Sequence, residues 1–302
     1  MRKPIKILGF PRSGTSLLQQ LLATHPEVYS PPETYVFSGC AKMIRESRGE
    51  GPDLGMLTGL SFAGFEAEEV IGRVREFGAA FLQEGAAREG KAIWAEKSAF
   101  DIFDLPEIEV LLAGHARFVC VVRNPLDVVA SMKELTDQMG QNVPEMRPWM
   151  AAHESYYVAW AHAWRDLTEA LLALAERAGE DAIVYKYEDL TEDPPAVLAR
   201  VATLAGIAPF TGPARLGSAQ IGLGDWKIAS SREVSKSPVA RWKKSLPKSS
   251  ARAVLEVVGP MMDRLGYARP AIRAPMTRED RIVQFKRAKQ MAIDMRRAGD
   301  DT

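Results

Sequence analysis

Apolar residues follow two rhythms along this chain, and the rhythms alternate. Short, largely apolar runs at 5–10, 92–95, 117–122 and 182–185 have the length and density of buried strands. Between them, apolar residues recur every three or four positions, as on one face of a helix: 14–24, 66–87, 101–113, a segment opening at Pro125, 148–178 and 195–205. Pro125 suits the first turn of a helix, and Gly179 suits the end of one. Strands that alternate with helical stretches predict a parallel sheet with helices on both faces, an α/β core of three layers. Residues 33–90 read as an insertion, irregular and glycine-rich (Gly49, Gly51, Gly55, Gly59, Gly64) until its helix at 66–87. Residues 206–240 have little periodicity and many Gly, Ser and Pro, so 206–245 is expected to be a cap loop. Helices at 249–265 and 277–298 make up a C-terminal part, 249–302. No internal repeat or low-complexity tract is found; 302 residues admit one large α/β domain with insertions or two small domains, and 1–302 is taken as one.

The first strand leads into a candidate for chemistry. Ile5-Lys6-Ile7-Leu8-Gly9 is followed by Phe10-Pro11-Arg12-Ser13-Gly14-Thr15-Ser16, and the apolar helical pattern begins at Leu17 and Leu18. A strand, a tight turn of small residues and a helix N-terminus form an anion site, because unpaired N–H groups and the positive end of the helix dipole face the ligand. Gly9 and Gly14 keep the Gly-x4-Gly frame of a nucleotide P-loop, so the core is P-loop-like. The lysine that should follow the second glycine is replaced by Thr15, which argues against an ATP or GTP hydrolase. The positive charge has moved into the loop, to Arg12. Such turns also join strands to helices without binding anything, and this segment alone leaves both readings open.

Composition narrows the partners. The 302 residues hold 39 basic and 39 acidic side chains, a formal net charge of zero. That balance gives no support to nucleic-acid binding. Cys40 and Cys120 make no disulfide framework, and Cys120 sits inside an apolar run as a small hydrophobe. His25, His115, His153 and His162 have no metal-ligand spacing, and no metal is expected. No apolar run reaches membrane-spanning length and no signal-like leader is present, so a soluble, cytoplasmic protein is expected.

A second anion signal stands at the end of the clearest strand: Val121-Val122-Arg123-Asn124-Pro125, with Ser131 eight residues beyond Arg123. Ligands of open α/β sheets sit at the carboxyl ends of strands, and an Arg fork with a hydroxyl can hold a phosphate. A strand-end salt bridge and a solvent-facing serine explain the same residues. Together the two stretches resemble the sulfotransferases that use 3′-phosphoadenosine 5′-phosphosulfate (PAPS). Residues 11–18 resemble the family's 5′-phosphosulfate loop, and Arg123 to Ser131 resemble its 3′-phosphate motif. Tyr187-Glu188-Asp189-Leu190 resembles a third element, whose Tyr borders the adenine. The likeness runs over about residues 5–245. It is nearest to the branch of tyrosylprotein sulfotransferases and many bacterial enzymes, and the Arg-Lys-Gly motif of the cytosolic branch is missing.

The resemblance implies transfer of a sulfuryl group from PAPS to an acceptor hydroxyl, with release of 3′,5′-ADP and without a metal. It implies Glu33 as general base, twenty-one residues past Arg12, with His25 as rival. Lys97 and Arg12 would neutralise the transferring sulfonate. Arg12, Ser13, Gly14, Thr15, Ser16, Arg123, Ser131 and Tyr187 would hold the nucleotide, with Ser231, Arg232 and Lys236 closing over it. Trp149, His153, Tyr156, Trp160 and Trp164 share one helical face and read as core rather than as a substrate wall. The basic last helix, with Ile282, Phe285, Met291 and Met295, reads as packed on the domain, although a partner or second subunit fits it as well. Alternative readings are a P-loop small-molecule or nucleotide kinase and a non-catalytic PAPS- or ADP-binding module. A phenol, a sugar hydroxyl, a lipid alcohol and a peptide Tyr are all admissible acceptors.

Overall fold

The computed structural model describes residues 2–45, 55–211, 216, 234, 238–272, 282, 285, 286 and 289. In chain order the elements are β1 (Ile5–Gly9), α1 (Thr15–Leu22), β2 (Val28–Tyr29), α2 (Val36–Ile44), α3 (Met56–Phe62), α4 (Ala67–Arg88) and β3 (Ile93–Glu96). Then come α5 (Leu105–Leu112), β4 (Arg117–Val122), α6 (Pro125–Met139), α7 (Arg147–Ala152), α8 (Tyr156–Ala178) and β5 (Ala182–Lys186). The described part closes with α9 (Tyr187–Glu192), α10 (Pro194–Ala205), α11 (Trp242–Ser245) and α12 (Lys248–Arg264).

All strand pairs are parallel, in the order β2-β3-β1-β4-β5. Alternation along β1 and β4 divides the core. Ile5, Ile7, Val119 and Val121 pack with Leu17, Leu18, Leu21, Val197 and Val201 of α1 and α10. Leu8, Phe118, Cys120 and Val122 face Phe37, Ile108, Leu112, Leu171 and Leu174 of α2, α5 and α8 on the other side. Helices therefore cover both faces, giving the three layers expected from the sequence. A third cluster joins α6, α8 and α12 through Leu126, Val129, Trp160, Trp164, Val254 and Met262.

Three local expectations are revised. The insertion is more helical than its glycines suggested, because Phe37, Cys40, Ala41 and Ile44 of α2 supply a short apolar stripe. The stretch 148–178 is two helices: His153 is extended at φ −138° and ψ 131°. The break lets α7 fold back on α8, where Trp149 donates to Asp166 at 2.9 Å and the His153 ring stacks on His162. The aromatic stripe is divided accordingly. Trp160 and Trp164 are buried in the core, whereas Tyr156 is exposed. The two-residue β2 had no sequence signal. Of the expected helix at 277–298 most positions, Met291 and Met295 among them, lie outside the described residues, while Ile282 and Phe285 are exposed.

Since Trp164 is fully buried between α6 and α12, Trp164→Ala should destabilise the fold by about 3–5 kcal/mol, read as a lower midpoint in denaturant unfolding.

Candidate active site

The strand order has its switch point at β1: the chain crosses to one side to form β3 and to the other to form β4. A crevice opens at such a point, outside the carboxyl ends of the strands. The turn after β1, Lys97 after β3 and Arg123 after β4 all converge there.

The turn is shaped by contacts that forbid larger side chains at two glycines. A Cβ on Gly9 would lie 2.7 Å from the Val121 carbonyl oxygen of β4, and one on Gly14 would lie 2.2 Å from the Tyr187 ring. Gly14 is also left-handed at φ 95°, and Arg12 takes the same region at φ 71°. Holding an arginine there costs about 1–3 kcal/mol, the kind of strain that gathers at functional sites. The Gly14 carbonyl accepts from Leu17 and Leu18, and among the described residues no side chain caps the start of α1. No acidic residue occupies its first turn, so no carboxylate of that turn offsets the positive end of the helix.

Arg12, Arg123, Ser131 and Tyr187 meet around this turn. Arg12 Nε donates to Ser131 Oγ at 3.1 Å, and Arg123 donates to the Arg12 carbonyl at 2.7 Å. The Arg123 guanidinium lies over the Tyr187 ring, 4.3 Å from its centroid. Both groups are buried, and such a cation–π contact contributes about 2 kcal/mol when desolvated. Burial pushes the Tyr187 phenol up from its usual range, against the pull of Arg123. Arg123 also donates to the Pro238 carbonyl at 2.9 Å. The rest of the third motif is structural. Glu188 accepts from the Asn124 amide at 3.1 Å and from the Tyr267 hydroxyl at 2.8 Å, and Leu190 is in the core.

A second group adjoins the first through Ser16. Lys97 Nζ donates to Ser16 Oγ at 2.8 Å and to Glu33 Oε1 at 2.6 Å. Glu33 Oε1 also accepts from the Ala99 amide at 3.0 Å, and Glu33 Oε2 accepts from the Tyr35 hydroxyl at 2.6 Å. The Lys97 and Glu33 side chains are 1% and 5% exposed, so their ion pair is screened little by solvent. His25 is elsewhere. Its Nε2 lies 3.0 Å from the Ala208 carbonyl and its Nδ1 accepts from the Glu27 amide at 3.1 Å, so both nitrogens serve the backbone. It is a turn residue, away from Glu33. Ser231, Arg232 and Lys236 lie outside the described residues, as does most of 206–245.

Sequence reasoning missed what lies beneath. Lys6 of β1 is fully buried and bonds both Glu96 and Asp101. Glu96 also accepts from Thr34 at 2.9 Å and Ser98 at 2.6 Å, and Asp101 accepts from Ser38. One ammonium neutralises one carboxylate. Glu96, with Lys6 and two hydroxyl donors, is held below the usual carboxylate range despite its burial. Asp101 is pushed up to about 6 by burial, against the pull of Lys6 and reinforced by Glu96. The available signal was Lys6 itself, a charge inside an apolar strand that must find counter-charge. Asp127, in the first turn of α6, was missed too. It accepts from the Ala240 and Trp242 amides at 2.7 and 2.9 Å and so ties the start of α11 beside Arg123.

The sulfotransferase family model matches residues 4–211, which hold all five strands and every strand-end group just described. The chain belongs to the sulfotransferase family. A relative among curated proteins is the nodulation protein NoeE of Sinorhizobium fredii, 27% identical over 279 residues and 86% of this chain; the chain spans 65% of that protein's length. Solved sulfotransferase domains share the fold. The one from the curacin biosynthetic pathway has a TM-score of 0.58 at 18% identity, covering 89% of this chain and 99% of its own. The one from the Synechococcus PCC 7002 olefin synthase has a TM-score of 0.54 at 19% identity, covering 89% and 98%. Among the described residues of this sulfotransferase no helix is long and apolar enough to cross a membrane, and no three His, Cys, Asp or Glu residues group as metal ligands.

The buried carboxylates give a pH test. In the folded chain Asp101 keeps its proton up to about 6, whereas in the unfolded chain it ionises near its ordinary 3.8. Between those values the folded chain holds the extra proton, so this residue makes stability fall as pH rises across the window. Asp101→Asn should remove that decline, seen as a flatter dependence of unfolding free energy on pH between 4 and 6 than in the parent chain.

Proposed function

We propose that this sulfotransferase takes its sulfuryl group from PAPS and passes it to an acceptor hydroxyl, releasing 3′,5′-ADP. The observation that carries the reading is a pair of buried polar atoms at one turn: among the described residues Ser13 Oγ and Arg123 Nε have no hydrogen-bond partner, and Arg123 is tied to the turn at the Arg12 carbonyl. Unpaired buried polar atoms are costly, and an anion in the turn would satisfy both. The α1 terminus, Arg12 and Arg123 supply the positive field for a phosphate-rich ligand.

When bound, PAPS supplies an activated sulfuryl group whose leaving group is a phosphate. Ser13, Gly14, Thr15 and Ser16 would present N–H and hydroxyl groups to the 5′ side. Arg123 and Ser131 would hold the 3′-phosphate, with Tyr187 along the base. Glu33 takes the proton of the acceptor hydroxyl as that oxygen attacks sulfur. Lys97, already on Ser16 and Glu33, and Arg12, from the turn, offset the negative charge that grows as the bond to phosphate breaks. Groups held this way need little rearrangement during reaction. The buried free thiols of Cys40 and Cys120 agree with a reducing, cytoplasmic setting.

Calorimetry with 3′,5′-ADP, 5′-AMP and ATP tests the donor assignment without metal and with Mg²⁺. Preference for 3′,5′-ADP supports it; preference for ATP with Mg²⁺ overturns it in favour of a kinase. Arg123→Ala should weaken 3′,5′-ADP binding by about 10- to 100-fold, the worth of a charged hydrogen bond, and weaken 5′-AMP binding much less. Glu33→Gln should lower turnover by about 10²–10⁴ and keep 3′,5′-ADP affinity, measured by steady-state rates beside calorimetry.

A further inference from the structure

Glu33 shows different oxygens to different neighbours. Oε1 is engaged by the Lys97 ammonium and the Ala99 amide. Oε2 accepts from the Tyr35 hydroxyl at 2.6 Å. Under the reading of Glu33 as general base, on which this inference rests, Oε2 is the oxygen that must receive the acceptor's proton. A phenol hydroxyl already sits on it.

The way Tyr35 is held points to a displaceable group on a fixed mount. Its backbone is left-handed at φ 53°, uncommon for a bulky side chain and persistent only where surroundings enforce it. The enforcement is visible: its amide donates to Ser98 Oγ at 2.9 Å, and its carbonyl accepts from Gly39 at 2.9 Å. Ser98 in turn donates to the buried Glu96. The side chain reaches partly into solvent. Tyr35 is 39% exposed, and its ring stacks on Phe100 with centroids 6.2 Å apart and planes at 24°. Rotation about the Cα–Cβ bond lifts the hydroxyl from Glu33 and leaves the anchored backbone in place.

We propose that Tyr35 is a placeholder for the acceptor hydroxyl, a specificity-determining residue that keeps water off Glu33 Oε2 until an acceptor displaces it. The reaction it suppresses is hydrolysis of the donor. There, water oxygen bonds to sulfur and the sulfur–oxygen bond to phosphate breaks. Glu33 takes one proton of the water, 3′,5′-ADP leaves, and the product is released as hydrogen sulfate, which loses its other proton to solvent to give sulfate. The acceptor that wins this site brings a hydroxyl on a ring or apolar carbon frame able to lie against Tyr35 and Phe100.

Tyr35→Phe keeps the ring and removes the hydroxyl. Three measurements are needed: 3′,5′-ADP affinity, release of inorganic sulfate from PAPS without acceptor, and binding of phenol to the free protein by calorimetry. The variant should keep 3′,5′-ADP affinity, release sulfate several-fold faster and bind phenol about two- to tenfold more tightly, the equilibrium worth of one hydrogen bond no longer in competition. Adding Glu33→Gln should abolish the gain in sulfate release. Tyr35→Leu, expected to gain likewise, serves if Tyr35→Phe does not fold. Unchanged sulfate release or unchanged phenol affinity, in a folded variant that binds 3′,5′-ADP, overturns the placeholder role alone. Failure of the parent chain to bind 3′,5′-ADP overturns the donor assignment and this inference with it.

Discussion

An ammonium group without access to water has to meet counter-charge, and the site is arranged around the way Lys6 does so. Lys6 stands on the central strand with its Cα paired to that of Glu96 on β3. The salt bridge therefore runs between neighbouring strands, and Asp101 brings in the turn that follows β3. From Glu96 the bonding spreads outward to Thr34 and Ser98, and from Ser98 to Tyr35. The loop that carries Glu33 thus rests on a buried charge cluster. Such clusters are sensitive to loss of one member, because the remaining charge stays desolvated.

Above that base, position in the sheet decides which groups meet. β1 lies between β3 and β4, so the residues just past their three ends are neighbours although they are far apart in sequence. Backbone strain at Arg12 and the ring of Tyr187 against Gly14 fix the turn. The cations are arranged with their carbonyl, hydroxyl and carboxylate partners before any ligand arrives. That preorganisation suits chemistry in which charge builds on a leaving oxygen.

Legibility from sequence follows the same division. Strand β4 was readable to the residue because all but its first position is apolar, and the start of α6 was marked by Pro125. The turn after β1 announced itself by composition, and Lys97 and Arg123 by standing at strand ends. The buried cluster did not, since it depends on register: Lys6 meets Glu96 only because of how β1 and β3 align. Tyr35 was hidden for a related reason, as its contact with Glu33 requires a left-handed backbone that no propensity favours. Helix α3 and strand β2 are too short to carry a period, and the break at His153 reflects packing of α7 on α8.

The place of β1 in the sheet also bears on synthesis. Ile5 pairs with Ala95 and with Arg117, so β1 waits for two partners made much later. At ordinary translation rates that interval is on the order of ten seconds. Until Glu96 and Asp101 are made, an apolar strand with Lys6 as its second residue has neither its sheet neighbours nor its counter-charges. The contacts that define the core have high sequence separation, which slows folding. The nascent chain is most exposed to misassociation before Val122 has left the ribosome.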